Sequence, residues 1–198
     1  PLLPLTGVVQ LPQTLIHWLL SGSAAAAVIF FAAGLTTYFE VPSARRWWVR
    51  LIHDAGPVLS LAHLAGVVLL PPRSDAAAAA GIVLYSLAVA VFLSALESAK
   101  RTRLQRAFVD EPLPDRLITD GPYRWVRHPF YVGYILGAIA APVAVAGVAL
   151  ALIAIAMVGL TLAAAIREER AWLRSARGPA YRLYRAKTGM FIPFARRG

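Results

Sequence analysis

Cysteine is absent from the 198 residues. That excludes disulfides, thiolate nucleophiles, Cys-ligated zinc and iron–sulfur clusters. Charge is scarce: 15% of residues are Asp, Glu, Lys or Arg, against about 25% in soluble domains. Lysine is nearly missing, since 18 of the 20 cations are arginine, as a GC-rich bacterial gene would give. The four histidines have no metal-type spacing and no acidic pair beside them, so no metal is expected. Apolar residues are plentiful instead, at 59%, with mean hydropathy +0.62. A soluble globule of this length cannot hide so much apolar surface, and disorder is excluded for the same reason. What remains is an all-α integral membrane protein, read as a single membrane domain over 1–198. A net charge of +10 would suggest nucleic acid in a soluble chain. In a membrane chain basic loops report topology first, so the bilayer is the expected partner and nucleic acid is not.

Apolar runs place three N-terminal spans within 15–98: Leu15 to Thr37, Ala55 to Leu70, and Ala76 to Leu96. The second is bounded by Gly56-Pro57 and Pro71-Pro72 and is short for a bilayer. The third starts behind Ser74-Asp75, a helix-start signal. Phe130 to Ile166 is nearly uncharged and, as one helix of about 55 Å, too long for one crossing. Pro142 and Gly147 lie inside it, so it reads as a hairpin of spans four and five that turns between Ala141 and Gly147. The expectation is five transmembrane helices and a cytoplasmic helical tail. With the N-terminus outside, the loop after span one, the loop after span three and the tail hold 19 of the 20 cations, and Arg73 alone faces outward. The positive-inside rule favours that arrangement over one without the hairpin, which strands the tail outside. A bacterial inner membrane is the expected location. No basic segment precedes the first apolar run, so it is not read as a cleaved signal peptide. Trp47-Trp48 read as interfacial anchors. His17 and His63 lie inside apolar runs and read as hydrogen-bonded core residues, with His53 at the interface.

Two stretches could carry chemistry. The first is Asp120-Gly121-Pro122-Tyr123-Arg124-Trp125-Val126-Arg127-His128-Pro129-Phe130-Tyr131-Val132-Gly133-Tyr134. Gly121-Pro122 marks a turn, and Pro129 suits the first position of span four. A helix N-terminus at the cytoplasmic boundary attracts an anion through its free N–H groups and dipole, and Arg127 and His128 stand just before it. Gly133 and Gly137 share a helix face and admit close approach of a helix or a ligand. Tyr131 and Tyr134 offer rings and hydroxyls.

The second stretch is Arg167-Glu168-Glu169-Arg170-Ala171-Trp172-Leu173, which the hairpin returns to the side of Arg127-His128. Neither Glu168 nor Glu169 finds a cation three or four residues away. Carboxylates at a membrane boundary need a partner, so theirs must come from elsewhere in the fold or from a ligand. Gly178-Pro179 ends that helix; Tyr181, Tyr184 and Arg185 follow, and Phe191-Ile192-Pro193-Phe194 is placed back against the bundle. Physics alone leaves a bland alternative standing. Arg127-His128 can be topology residues, and the Glu pair can bind arginines of the loop before span four.

The pattern Gly-Pro-Tyr-Arg-x-x-Arg-His-Pro-x-Tyr-x-Gly from Gly121 to Gly133, a hydrophobic hairpin, Glu168-Glu169 with Leu173, and Gly-x-x-Tyr-x-x-Tyr from Gly178 to Tyr184 resembles the isoprenylcysteine carboxyl methyltransferase family and related membrane phospholipid methyltransferases. Leu173 falls one position beyond the usual leucine. The resemblance covers roughly Leu117 to Tyr184, and it makes 117–198 the expected catalytic and cofactor-binding part. It implies an enzyme that uses S-adenosylmethionine, releases S-adenosylhomocysteine, and has no Rossmann domain. The cofactor would meet Tyr123, Arg127, His128, Pro129, Tyr131, Gly133, Glu168, Glu169, Tyr181 and Tyr184. Its carboxylate suits Arg127 or His128, its ammonium and ribose suit Glu168 or Glu169, and its adenine suits Tyr123, Trp125, Tyr131, Tyr181 or Tyr184. Glu168, Glu169, Arg167 and Arg170 are the catalytic candidates: the arginines to orient a carboxylate acceptor, the glutamates or His128 as base for an amine, phenol or alcohol. The implied acceptor is an isoprenoid carboxylate, a phenolic lipid or a phospholipid amine. Two other classes compete: an NADPH-dependent membrane reductase of an isoprenoid or sterol-like lipid, and a non-catalytic membrane subunit.

Overall fold

The computed structural model describes residues 13–40, 47–100, 104–105 and 116–193. Arg45, Arg46, Arg101, Arg103, Arg106 and Phe194 lie outside the described residues, as do the side chains of Trp47, Trp48 and His53. Among the described residues the elements are helical apart from one two-residue strand pairing and two isolated bridges. The order is α1 (Gln13–Tyr38), α2 (Trp47–Leu69), α3 (Asp75–Ala99), a 3-10 turn (Gly121–Arg124), α4 (Pro129–Ala144), α5 (Val148–Arg174) and α6 (Gly178–Lys187). By length and composition α1, α3 and α5 can each cross a membrane, and α2 and α4 carry shorter apolar segments. The protein is an integral membrane protein.

Local signals explain most boundaries. Ser74 caps α3 by accepting a hydrogen bond from the Ala77 amide at 3.2 Å. Pro129 opens α4, where its missing N–H costs nothing. The hairpin turns at 145–147, within the expected window. The start of α2 departs from the expectation at Ala55. The helix begins at Trp47 and carries Pro57 inside it. Hydropathy detects only the apolar part of a helix, and Arg50, His53 and Asp54 hide the first turns. Proline removes one backbone donor, a loss that a 23-residue helix absorbs.

α3 and α4 pack antiparallel through small residues. A Cβ on Gly133 would stand 3.0 Å from the Ala88 carbonyl oxygen, and one on Gly81 would stand 2.7 Å from the Ala144 Cβ. Ala88, Ala140, Ala141 and Ala144 are fully buried there. Lipid tails are as apolar as leucine, so close packing of small residues, not apolar burial, holds such helices together. Polar contacts also cross the bundle: His63 Nε2 lies 2.7 Å from the Tyr85 hydroxyl, and His17 Nε2 lies 3.0 Å from the Val67 carbonyl. Both histidines have partners; His63 is buried and His17 half-buried.

The connections sort into two ends. Arg73 donates from its amide to the Ala144 carbonyl at 2.9 Å and from Nη2 to the Pro142 carbonyl at 2.9 Å. These bonds tie the α2–α3 loop to the hairpin turn. At the other end Phe39 and Glu40 pair in parallel with Leu104 and Gln105. That second end also carries the start of α4, the end of α5 and all of α6.

Candidate functional site

The site grows from the loop before α4. Gly121 adopts φ +56, and a Cβ there would meet the Ser98 hydroxyl. Only glycine takes that conformation and that space together. The turn returns the chain so that Tyr123 is buried beside Phe130, with ring centroids 6.5 Å apart. Val126 then forms a parallel bridge with Gly189. The tail beyond α6 is held there by backbone bonds: the Gly189 amide donates to the Trp125 carbonyl at 3.2 Å, the Arg127 amide to the Gly189 carbonyl at 2.8 Å, and the His128 amide to the Met190 carbonyl at 3.3 Å. Phe191 reaches His128, its ring centroid 5.9 Å away, so the tail does fold back onto the bundle. Ile192 is exposed.

The two sequence stretches meet here. Arg127 Nε donates to Glu169 Oε1 at 2.7 Å, and the two side chains are 5% and 9% exposed. Arg127 Nη1 donates to the Arg185 carbonyl at 3.3 Å and to the Thr188 carbonyl. Arg185 Nε stands 3.6 Å from Glu169 Oε2. The His128 ring lies between both carboxylates, with Nδ1 3.7 Å from Glu168 Oε2 and Nε2 3.5 Å from Glu169 Oε1. It stacks on Tyr131 at 5.3 Å and 17°. The Tyr131 hydroxyl donates to Glu168 Oε2 at 3.2 Å.

The neighbouring glutamates therefore have different surroundings. One hundred degrees of helix rotation separates them. Glu169 is buried among Arg127, Arg185 and His128. The Glu168 side chain is 38% exposed beside Tyr131 and His128. The partner that Glu169 needs is supplied by the fold.

The aromatic candidates divide as well. Tyr181 stacks on Trp172 at 5.7 Å and 11° and is buried, which fastens α6 to α5. The Tyr184 hydroxyl donates to the Tyr123 carbonyl at 2.6 Å. Burial raises the pKa of the Tyr123, Tyr181 and Tyr184 phenols above the ordinary tyrosine range, with the Glu168 charge adding to it at Tyr123. All three stay protonated at neutral pH. Trp125 is exposed, with the Arg124 guanidinium over its ring at 5.8 Å. Gly133 faces α3 and serves helix packing. Pro129 is buried, Arg167 is half-buried and Arg170 is exposed. No cluster of metal-ligating side chains occurs among the described residues.

Residues 79–175 match the family model of the isoprenylcysteine carboxyl methyltransferase family. The family segment runs from α3 through the Arg-His-Pro loop and the hairpin to the end of α5, so it contains both Arg127 and Glu169. It stops before α6. Two curated relatives are similar over a comparable length. Methanethiol S-methyltransferase 1 of Bradyrhizobium diazoefficiens is 38% identical over 89 residues, 43% of this chain and 29% of that protein. Methanethiol S-methyltransferase of Mycobacterium tuberculosis is 41% identical over 75 residues, 38% of this chain and 30% of that protein. The matched part spans about three-tenths of either relative's length.

Sequence reasoning missed Thr188, Gly189 and Met190. They bind the site through backbone carbonyls, which every residue owns, so no side-chain pattern advertised them.

Proposed function

We propose that the protein is an S-adenosylmethionine-dependent membrane methyltransferase acting on an apolar acceptor that partitions into the bilayer. The observation that carries the reading is the convergence of Arg127-His128 with Glu168-Glu169 inside the family segment. Buried pairing of Arg127 with Glu169 holds His128 and Glu168 in place. Glu168, the more open carboxylate, suits the ammonium or ribose hydroxyls of the cofactor, and the Tyr131 face suits a cation. The cofactor carboxylate suits the α4 N-terminus beside His128.

When bound, the cofactor supplies an activated methyl on a sulfonium. Transfer of that methyl to a neutral acceptor would release S-adenosylhomocysteine and one proton. Glu168 and His128 are the groups within reach of one another to take it. Much of the acceleration comes from bringing an aqueous cofactor and a membrane acceptor together in line. The distribution of cations favours five spans with the N-terminus outside, an arrangement in which this site would lie at the cytoplasmic boundary. Within that frame 15–98 forms the scaffold and 117–198 the site.

The acceptor has two readings. Lipids such as an isoprenoid carboxylate, a phenolic lipid or a phospholipid amine suit an enzyme embedded in the bilayer. A small thiol is favoured by the methanethiol named in both relatives. It is apolar enough to arrive through the membrane and acidic enough for a weak base.

Calorimetric binding of S-adenosylhomocysteine to the detergent-purified protein tests the reading, with NADPH as control. Micromolar binding that is lost in His128→Ala supports it. Binding of NADPH alone would replace it with a reductase, and binding of neither ligand with a non-catalytic role. Lipid and thiol acceptors are then separated by methyl transfer from labelled cofactor.

A further inference from the structure

The tail beyond the family segment does more than cover the site. Among the described residues, Arg127 is bonded on two sides. Its Nε faces Glu169 on α5, and its Nη1 faces the Arg185 and Thr188 carbonyls where α6 ends. The last carbonyls of a helix lack intrahelical donors and carry the negative end of the dipole. The guanidinium therefore caps α6 while it neutralises Glu169. Thr188 is the residue on which these contacts converge. It is 5% exposed and leaves the helix in an extended conformation. Its hydroxyl donates to the Tyr184 carbonyl at 2.8 Å, and its own carbonyl accepts from Arg127. The next two residues supply the carbonyls that bind the Arg127 and His128 amides.

We propose that Thr188 is a positioning residue: its hydroxyl locks the end of α6 so that the 188–190 strap sets Arg127, and through Arg127 and Glu169 the orientation of the His128 ring. Two hydrogen bonds and one close contact without hydrogen-bond geometry link the residues. Thr188 is tied to Arg127, Arg127 to Glu169 at 2.7 Å, and Glu169 Oε1 lies 3.5 Å from His128 Nε2. The lever is stiff because Arg127, Glu169 and Thr188 are all buried. Buried hydrogen-bonded charges have no water to fall back on, so a displaced carbonyl must be followed or the bond lost.

The affinity arm of the test rests on the methyltransferase reading; the spectroscopic arm does not. The chain has four histidines, so imidazole nitrogen NMR of 15N-histidine-labelled protein in micelles is readable, with the His128 signals assigned by His128→Gln. Thr188→Val removes the hydroxyl and keeps the shape; Thr188→Ser keeps the hydroxyl. In Thr188→Val the His128 signals are expected to move while those of His17 and His63 stay. S-adenosylhomocysteine affinity should fall about five- to tenfold, the worth of one hydrogen bond. Thr188→Ser should restore both. Wild-type His128 signals in Thr188→Val overturn the proposal, and so does a loss of affinity without movement of His128. If wild-type protein binds no S-adenosylhomocysteine, the methyltransferase reading fails and the His128 signals alone decide. If Thr188→Val does not fold, hydrogen exchange on the wild type decides. Arg127 and His128 amides as protected as that of Val132 support the strap, and exchange at loop rates overturns it.

Discussion

The Arg127 guanidinium and the Glu169 carboxylate, 42 positions apart in the sequence, meet at 2.7 Å, and both are buried. One belongs to the loop before α4 and the other to the end of α5. Their contact closes the hairpin at the face that carries the site. Removing either partner of a buried pair leaves an uncompensated charge. Arg127→Met and Glu169→Gln should each lower stability, by about 3–5 kcal/mol for the full loss of a partner. The double variant should lose less than the sum of the two. Denaturant unfolding in a fixed detergent measures this cycle, and strict additivity would show that the pair does not interact.

Glu168 should behave differently from its neighbour. Its side chain is 38% exposed and contacts Tyr131 and His128. Glu168→Gln is expected to unfold at nearly the wild-type denaturant concentration. Its affinity for S-adenosylhomocysteine should fall about tenfold, as when a charge-assisted hydrogen bond becomes a neutral one. Wild-type affinity in this variant would return Glu168 to a structural role.

The buried phenols make the α6 face sensitive to alkali. Tyr123, Tyr181 and Tyr184 have pKa values raised by burial. A group whose folded pKa lies above its unfolded value contributes fully below the unfolded pKa, here about 10 for tyrosine. That contribution is lost as pH rises above it. The contribution of these tyrosines to stability should therefore be level below pH about 10 and fall beyond it. Absorbance at the phenolate band should show these tyrosines ionising only as the protein unfolds. Reversible ionisation of all seven tyrosines in folded protein near pH 10 would contradict the burial.

His63 and Tyr85 form a polar clasp between α2 and α3 inside the apolar bundle, 2.7 Å apart and both buried. His63→Phe leaves the Tyr85 hydroxyl without that partner and should cost about 0.6–2 kcal/mol, the range of interhelical hydrogen bonds in membranes. Adding Tyr85→Phe should recover part of the loss, because both polar groups are then gone. Unfolding of the two single variants and the double variant gives the coupling directly.

Much of the fold was legible. Asp75 behind Ser74, Pro129 at the start of α4 and the turn near Gly147 were each readable from local chemistry, because caps and prolines act within one turn of helix. The early start of α2 was not, since its first turns are polar and hydropathy is blind to helix that is not apolar. In the site, the lack of a local cation near Glu169 showed that its partner had to come from elsewhere in the fold or from a ligand. It did not show which one.

By itself the sequence determined a membrane-embedded helical chain, its hairpin, and the two stretches that meet at one end of it, since these follow from local periodicity and charge. Only the tertiary structure decided that Arg127 neutralises Glu169 rather than standing free for a ligand, that Glu168 is the more open carboxylate, and that Thr188, Gly189 and Met190 strap the site with their backbone. The reason is physical: one helix step of about a hundred degrees separates a buried carboxylate from an open one, and backbone carbonyls are the same in every residue until the fold aims them.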